Sequence, residues 1–251
     1  ALSMVPILSR DYVKAAAYQH DAQDIDVNAL HQGWLRKASA LGVKLFTNAE
    51  VLSAKRVAGA WHTETTERIF IASIIVNASG AWADLTAGLF GVKPLGLTPM
   101  RRSIAVLPAP DGHDVRSWPL VDDMNEAWYL KPDGGRMFVS PCDETPVEPH
   151  DAYVDDMILA EGLYRFEQAV TVPVNRVESS WAGLRTFAPD RTPVAGFDST
   201  VGGFFWLAGQ GGYGIQTSPA LSDLAAALIG GRDPEGALEP LLPKLSPARF
   251  D

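Results

Sequence analysis

Residues 203–217 of the 251-residue sequence read GFFWLAGQGGYGIQT, and this stretch decides the fold. The apolar run at 204–208 is short and rich in aromatic residues, which is typical of a buried strand. A glycine-rich turn follows, and Ser218 and Pro219 then favour the N-cap and the first position of a helix. A strand, a glycine turn and a helix in this order bring bare N–H groups and a positive helix end to a ligand. The sequence therefore predicts an anion-directed site here.

Three glycines of this turn, Gly209, Gly211 and Gly214, satisfy the pattern G-x-G-x-x-G, but their context differs from the usual dinucleotide fingerprint. That fingerprint needs a second strand and an acidic residue about 20 residues further on. Here the predicted helix ends at Ile229, and the four prolines of residues 232–251 indicate a loosely packed tail. A plain connector between a core strand and a core helix is the alternative interpretation of the turn.

The composition is that of a globular protein, with 47% hydrophobic and 20% charged residues. A net charge of −9 without any Lys/Arg cluster argues against a nucleic-acid partner. No apolar run approaches the ~18 residues of a membrane span. The single cysteine, Cys142, excludes an internal disulfide framework and favours a reducing, cytoplasmic location. The five histidines are scattered without metal-ligand spacing, so we expect no metal site.

The order of predicted elements indicates a mixed α/β fold. A helix begins near Asp26, with Asp26 or Asn28 as its cap, and an antiparallel meander over 51–76 ends in a buried strand at 71–76. Small residues then lead into a second helix, and a hairpin turns at 133–135. Because βαβ-like parts flank a β-rich middle, we expect two discontinuous domains. These are 26–94 with 181–251, and 1–25 with 95–180.

Three arginines are candidates for binding an anion. Arg101 and Arg102 enter an alternating apolar strand, so they must point to opposite faces. Arg185 lies among apolar residues. An inward arginine is costly unless an anion meets it, although a surface pair on an edge strand is the alternative for Arg101 and Arg102. With the hydroxyl of Tyr129, this set could hold a carboxylate through charge-assisted hydrogen bonds.

Several stretches resemble the flavoprotein family of D-amino-acid oxidases, glycine oxidase and sarcosine oxidase. They are DVNAL at 26–30, NASGAW at 77–82, WAGLR at 181–185 and GQGGYGIQT at 209–217. Within the family, the combination of RRS at 101–103, WYLKP at 128–132 and GGYGIQT at 211–217 is most similar to bacterial D-arginine dehydrogenases. The similarity covers essentially all of the chain, and the motifs are specific only in combination.

The resemblance implies an FAD-binding domain with an inserted antiparallel-sheet substrate domain. The implied reaction oxidises a D-amino acid to an imino acid, which water hydrolyses to a 2-oxo acid and ammonia. The resemblance also implies that Arg102 and Arg185 bind the substrate carboxylate, that Tyr129 hydrogen-bonds it, and that backbone of Gly212 lies near the amine. The positions implied to line the flavin are Val51, Ala78, Gly80, Trp82, Gly183, Gly211, Gly212, Tyr213, Gly214, Ile215, Gln216 and Thr217.

One large departure from the family is that nothing here matches the first strand, glycine turn and helix that bind the ADP half of FAD. We therefore expect the chain to be the C-terminal portion of such an enzyme, to bind FAD poorly or not at all alone, and to be inactive alone. An uncovered sheet edge would favour self-association or a partner that supplies the unit. A subunit of a heteromeric flavoenzyme and an amine oxidase of the glycine or sarcosine type stay open as alternatives.

Overall fold

The computed structural model describes residues 1–234 and 236–251, which form two compact units. Unit 1 comprises Ala1–Ala22 and Pro99–Leu184, and unit 2 comprises Gln23–Thr98 and Arg185–Asp251. The strands are β1 (Val51–Val57), β2 (Ala60–Thr65), β3 (Ile69–Ala72), β4 (Ile75–Asn77), β5 (Thr98–Pro108), β6 (Val121–Asp122), β7 (Tyr129–Asp133), β8 (Arg136–Ser140), β9 (Thr145–Pro146), β10 (Ser179–Phe187), β11 (Val194–Phe197) and β12 (Phe204–Ala208).

The helices are α1 (Val27–Ala40), α2 (Ala83–Leu89), α3 (Asp156–Ala169), α4 (Gly214–Ile229) and α5 (Leu242–Leu245). Short 3₁₀ turns lie at Gly80–Trp82, Val115–Ser117, Gly236–Leu241 and Pro247–Phe250. No helix of the described residues is long and apolar enough to cross a membrane. The mixed α/β fold class expected from the order of elements is confirmed.

Unit 1 is built on an antiparallel sheet in the order β10-β5-β8-β7-β6, with β9 added to β5. Alternation along the strands sends residues such as Ala105, Leu130 and Val139 to one face, where they pack with Phe166 of α3. The hairpin predicted at 133–135 is confirmed, because β7 and β8 pair across two glycines with positive φ. This face forms the core of unit 1.

Unit 2 contains two small sheets. One is an antiparallel sheet in the order β1-β2-β3, and the other has the order β11-β12-β4. The central strand β12 runs antiparallel to β11 and parallel to β4, and Phe204, Phe205 and Trp206 on it are completely buried. The prediction of a buried strand at 204–208 is confirmed. Because β12 is central, the glycine turn after it is fixed by the core.

The prediction that one buried strand covers 71–76 is wrong. β3 ends at Ala72 and belongs to the meander, whereas β4 pairs with β12 in the other sheet. The chain changes sheet at Ser73, whose carbonyl oxygen would lie 2.6 Å from a Cβ at position 203. Gly203 is therefore required for the two strands to approach, and local alternation cannot reveal such a change of sheet.

The helix after the glycine turn begins earlier than the Ser218–Pro219 pair predicts. α4 starts at Gly214, so Pro219 lies inside it. A proline inside a helix cannot donate to the carbonyl four residues earlier. Here that carbonyl, of Ile215, accepts a hydrogen bond of 2.8 Å from the Ser218 hydroxyl. The serine thus compensates for the missing N–H group instead of capping the helix.

The expectation of a loosely packed tail is also wrong for 236–251. This segment folds into α5 and two 3₁₀ turns, and Leu245 is buried. Arg249 donates to both carboxylate oxygens of Asp190, at 2.8 and 3.1 Å, and to the carbonyls of Thr192 and Ser246. The hydrogen bonds from Arg249 to its carboxylate lower the pKa of Asp190, although burial opposes the shift. The prolines therefore shape a fixed segment.

Candidate functional site

The glycine turn of unit 2 is held in place by the end of β10. The N–H group of Gly211 donates to the carbonyl of Thr186 at 2.9 Å, and Phe187 forms a bridge with Gln210. A Cβ at position 211 would meet the ring of Phe187 at 2.5 Å, so only glycine fits there without a shift. Sequence alone could not join these two stretches, which are separated by the strands β11 and β12.

This pairing brings Arg185 against the turn. A Cβ on Gly212 would lie 2.8 Å from Nη1 and 3.2 Å from Cζ of the arginine. The absence of a side chain at 212 therefore gives the guanidinium its place beside the backbone. The structure thus brings Arg185 and Gly212 together, as the resemblance implies for two residues near the substrate.

A cavity of about 560 Å³ opens at this place, within the range of small-molecule sites. It combines apolar side chains with a guanidinium, hydroxyls and bare backbone. Its lining residues are Ala78, Arg185, Leu207, Gln210, Gly211, Gly212, Gly214, Ile215, Ser218, Leu221 and Ser222.

The start of α4 faces this cavity through Gly214 and Ile215. Its N-cap residue, Tyr213, makes no side-chain capping hydrogen bond, and the amide of Thr217 is bonded to the Tyr213 carbonyl. The N–H groups before Thr217 belong to the first turn, where an α-helix has no internal acceptors for them. Together with the helix dipole they favour an acceptor or anionic edge of a planar ligand.

The other positions expected to line a flavin lie at several places. Ala78, Gly80 and Trp82 follow the end of β4, but only Ala78 lines the cavity. Val51 begins β1 and is not among the lining residues. Gly183 lies in the part of β10 that belongs to unit 1. Tyr213, Gln216 and Thr217 flank the lining residues in the turn and in the first turn of α4. The cavity thus unites only part of the predicted set.

In unit 1, Arg102 and Tyr129 lie on the sheet face opposite the core. Arg102 is out of phase with the core residue Ala105 on β5, and Tyr129 is out of phase with Leu130 on β7. In the strand register, Asp122 is the partner of Tyr129. This face therefore carries both charge and a hydroxyl.

The two adjacent arginines have different partners. Arg101 lies 3.6 Å from both Asp143 and Asp155 on the core side. Asp143 is itself fixed, because it accepts hydrogen bonds from the N–H group and the hydroxyl of Ser103 at 2.7 and 2.8 Å. Arg102 instead donates to Glu144 at 3.1 Å. Both arginines are buried and paired, which excludes the alternative of a surface pair.

Two titratable groups lie within the electrostatic reach of Arg102. Burial raises the pKa of the Cys142 thiol, and the positive charge of Arg102 reduces that shift. Burial, reinforced by Glu126, raises the pKa of Asp122, while Arg102 again opposes it. Cys142 therefore stays a thiol at neutral pH, which is the less reactive form of the side chain.

Sequence reasoning missed several residues of these sites. Glu144, the partner of Arg102, lies 42 residues away in the chain. Ser222 lines the cavity but matches no motif, and Gln210 lines it although it was not predicted as a site residue within GQGGYGIQT. The helical spacing of Ser218 and Ser222, four residues apart, places both on one face of α4 and is the signal that could have found the second.

The family described as DAO, FAD dependent oxidoreductase, matches residues 1–228 of the chain. FAD-dependent oxidoreductase domain-containing protein 1 from Bos taurus is 26% identical over 89% of this chain and 53% of its own length. Glycine oxidase from Geobacillus kaustophilus is 25% identical over 91% of this chain and 59% of its own length. The chain thus spans about half the length of the curated relatives it matches.

Two solved structures share the fold. The crystal structure of glycine oxidase from Geobacillus kaustophilus has a TM-score of 0.69 and 26% identity, covering 81% of this chain and 54% of that one. The crystal structure of L-proline dehydrogenase from P. horikoshii has a TM-score of 0.85 and 24% identity, covering 99% of this chain and 66% of that one. The latter similarity is evidence for the fold alone.

Proposed function

The chain belongs to the DAO family of FAD dependent oxidoreductases, and on that premise we propose that the whole protein oxidises the C–N bond of an amino acid. The family cofactor is FAD, as the sequence resemblance implies. In the proposed reaction the α-carbon loses a hydride and the amine loses a proton, which gives an imino acid. Water then hydrolyses the imino acid to a 2-oxo acid and ammonia.

The observation that carries this proposal is the cavity where Arg185 meets the glycine turn and the start of α4. Apolar walls from Ala78, Leu207 and Leu221 suit a flat heterocycle, and the first-turn N–H groups suit its acceptor atoms. These residues therefore fit the flavin. Bound FAD supplies the hydride acceptor, while the protein supplies position and field.

The residue roles within this proposal follow the resemblance. Arg102 and Arg185 bind the substrate carboxylate, Tyr129 donates a hydrogen bond to it, and the backbone of Gly212 lies beside the amine. Fixing the carboxylate fixes the α-carbon, and such positioning reduces the entropy cost of the reaction. The units Gln23–Thr98 with Arg185–Asp251 and Ala1–Ala22 with Pro99–Leu184 then serve as the FAD-binding and substrate-binding domains.

The finer assignment is a D-amino acid as substrate, in an enzyme of the D-arginine dehydrogenase type. The ground is the combination of RRS, WYLKP and GGYGIQT in one chain. A cytoplasmic location belongs to the same proposal and depends on the single cysteine. Glycine or sarcosine is the second candidate substrate, because a glycine oxidase is among the relatives.

We further propose that residues outside these 251 supply the unit that binds the ADP half of FAD. No G-x-G-x-x-G turn between a strand and a helix, followed by an acidic residue, precedes β4 in the sequence. β4 ends the sheet order β11-β12-β4, and α1 has no buried residue. The free edge of β4 and the surface of α1 are therefore places that a further unit would cover. That unit could belong to the same polypeptide or to a partner.

The test compares the 251-residue chain with the whole protein, extended at its N-terminus, in an FAD titration followed by anaerobic addition of amino acids. We expect only the longer protein to bind FAD tightly and to lose its oxidised-flavin absorbance with a D-amino acid. Replacing Arg185 with Leu in that protein should raise KM by ~30-fold, since a hydrogen bond to a charged group contributes about 2 kcal/mol.

Other results would separate the parts of the proposal. Tight FAD binding by the short chain would contradict the missing-unit proposal alone. Reduction by glycine or sarcosine, but by no larger D-amino acid, would favour the second candidate substrate. If the whole protein binds FAD but no amino acid or secondary amine reduces it, the proposed function is wrong.

A further inference from the structure

The carboxylate of Glu144 occupies one hydrogen-bonding position of the Arg102 guanidinium. Its Oε1 accepts a hydrogen bond of 3.1 Å from Nη2 of Arg102, whose side chain is about nine-tenths buried. If Arg102 binds the substrate carboxylate, as proposed above, the two carboxylates compete for one guanidinium. The inference developed here rests on that part of the proposed function.

The neighbouring pair shows what a permanent partner looks like. Asp143, beside Arg101, has a side chain only 4% exposed and is anchored by two hydrogen bonds from Ser103. The side chain of Glu144 is 27% exposed and has one more rotatable bond than an aspartate. Glu144 is therefore the more exposed and the more flexible of the two carboxylate partners.

The guanidinium of Arg102 also keeps a hydrogen-bonding position to fill. Its Nε is buried and has no hydrogen-bond acceptor among the residues that the structure describes, as is also true of Nε of Arg101. A buried donor without an acceptor is unfavourable. A carboxylate in the bidentate arrangement would take Nε and one Nη together, whereas Glu144 takes Nη2 through one oxygen. An incoming carboxylate thus has a contact to gain that the present pair does not make.

We propose that Glu144 is an internal competitor that substrate displaces from Arg102, and that it thereby sets the affinity for the substrate carboxylate. Glu144 touches Arg102 and not the reacting atoms, so it is a positioning and specificity residue. Removing its charge should strengthen binding of any carboxylate at Arg102, and should leave the chemical step unchanged.

The test uses the whole FAD-loaded protein and acetate, a carboxylate that lacks an amine and cannot be oxidised by this reaction. Isothermal titration calorimetry measures acetate binding to the wild type, Glu144→Gln and Glu161→Gln. Glu161 is an exposed residue of α3, so its replacement removes the same charge elsewhere in unit 1. We expect Glu144→Gln to bind acetate about tenfold more tightly, because a neutral amide competes less than a carboxylate.

Kinetics supply the second measurement. With an amino acid that the protein oxidises, Glu144→Gln should lower KM by a similar factor of about ten and leave kcat unchanged. Glu161→Gln should change neither. Acetate affinity in Glu144→Gln that equals or falls below that of the wild type would overturn the inference.

A double variant locates the bound acetate. Adding Arg102→Lys to Glu144→Gln should remove most of the gain, since lysine cannot form the bidentate pair. Equal affinity in the double and single variants would mean that acetate binds elsewhere, and the inference would then be wrong. If no amino acid is oxidised but Glu144→Gln still tightens acetate binding through Arg102, the proposed function fails and the competition stands.

Discussion

The helices α1 and α3 are alike as local structures and differ completely in their surroundings. Each has 14 residues, and each begins after an aspartate whose side chain caps the first turn. α3 in unit 1 buries Leu159, Gly162, Phe166 and Ala169, whereas α1 in unit 2 has no buried residue. Capping and periodicity therefore specify that a helix forms. How much that helix contributes to the stability of the protein depends on what it packs against.

The largest expected effect comes from the apolar faces of the two helices. Phe166 on α3 is 0% exposed and packs against Trp128 with ring centres 5.3 Å apart. Phe166→Ala should lower the free energy of unfolding by about 3–5 kcal/mol, because it leaves a cavity. Trp34→Ala on α1, where the side chain is 48% exposed, should change it by less than about 0.5 kcal/mol in the same chain.

Urea unfolding of the purified chain, followed by circular dichroism, measures both effects. Trp34→Ala should become clearly destabilising in the N-terminally extended protein if α1 is covered there, as proposed. Equal losses for the two variants in the short chain would contradict the contrast between the helices.

Replacing the interior glycine of each helix with alanine should give the next largest change in the free energy of unfolding. The two changes should have opposite signs. A Cβ at Gly162 would lie 2.1 Å from Cβ of Pro141, so the helix or the loop must shift. Gly162→Ala should cost about 1–3 kcal/mol through overpacking. Gly33 on α1 has nothing within 4 Å of that position, so Gly33→Ala should stabilise by up to about 1 kcal/mol through helix propensity.

Thermal unfolding of both glycine variants tests this pair. A stabilising Gly162→Ala would mean that α3 does not lie as close to Pro141 as the structure has it. A destabilising Gly33→Ala would show that α1 already packs on something at that face.

The smallest effect is expected at the capping aspartates. Asp26 accepts a hydrogen bond of 2.8 Å from the amide of Ala29, and Asp155 accepts from Met157 and Ile158 at 3.1 and 3.2 Å. Replacing either with Ala should cost about 1 kcal/mol through loss of the cap. Asp155→Ala should cost somewhat more, since Asp155 also lies 3.6 Å from Arg101.

Raising the salt concentration separates the two contributions at Asp155. The excess cost over Asp26→Ala should shrink at high salt, because the pair with Arg101 is partly exposed and screened. If the extra cost of Asp155→Ala does not depend on salt, that cost comes from the lost cap and not from the pair with Arg101.

The sequence predicted those elements whose rules act over a few residues. The cap at Asp26, the hairpin across Gly134 and Gly135, and the strand at 204–208 all follow from local propensity and alternation. The prediction of one strand over 71–76 is wrong because β4 is defined by its pairing with β12, more than 100 residues later in the chain. The predicted start of α4 is wrong because the Ser218 hydroxyl donates to a carbonyl inside the helix instead of capping its first turn.

The candidate site divides in the same way. The glycine turn, Arg185 and Gly212 were found from the sequence, but the hydrogen bond from Gly211 to Thr186 that brings them together was not. Alternation correctly required Arg101 and Arg102 to face opposite ways, and could not say which carboxylates meet them. Their roles in binding substrate stay predictions.

The sequence by itself determined the family and the mixed α/β class and supplied the candidate residues for anion binding, because propensities, caps and motifs are encoded within a few neighbouring positions. Only the tertiary structure decided that Arg101 pairs with Asp143 and Asp155 while Arg102 pairs with Glu144, that Gly214 begins α4, and that no residue of α1 is fully buried. Those outcomes depend on contacts between residues far apart in the chain, whose energies arise only once the strands have paired and the core has closed.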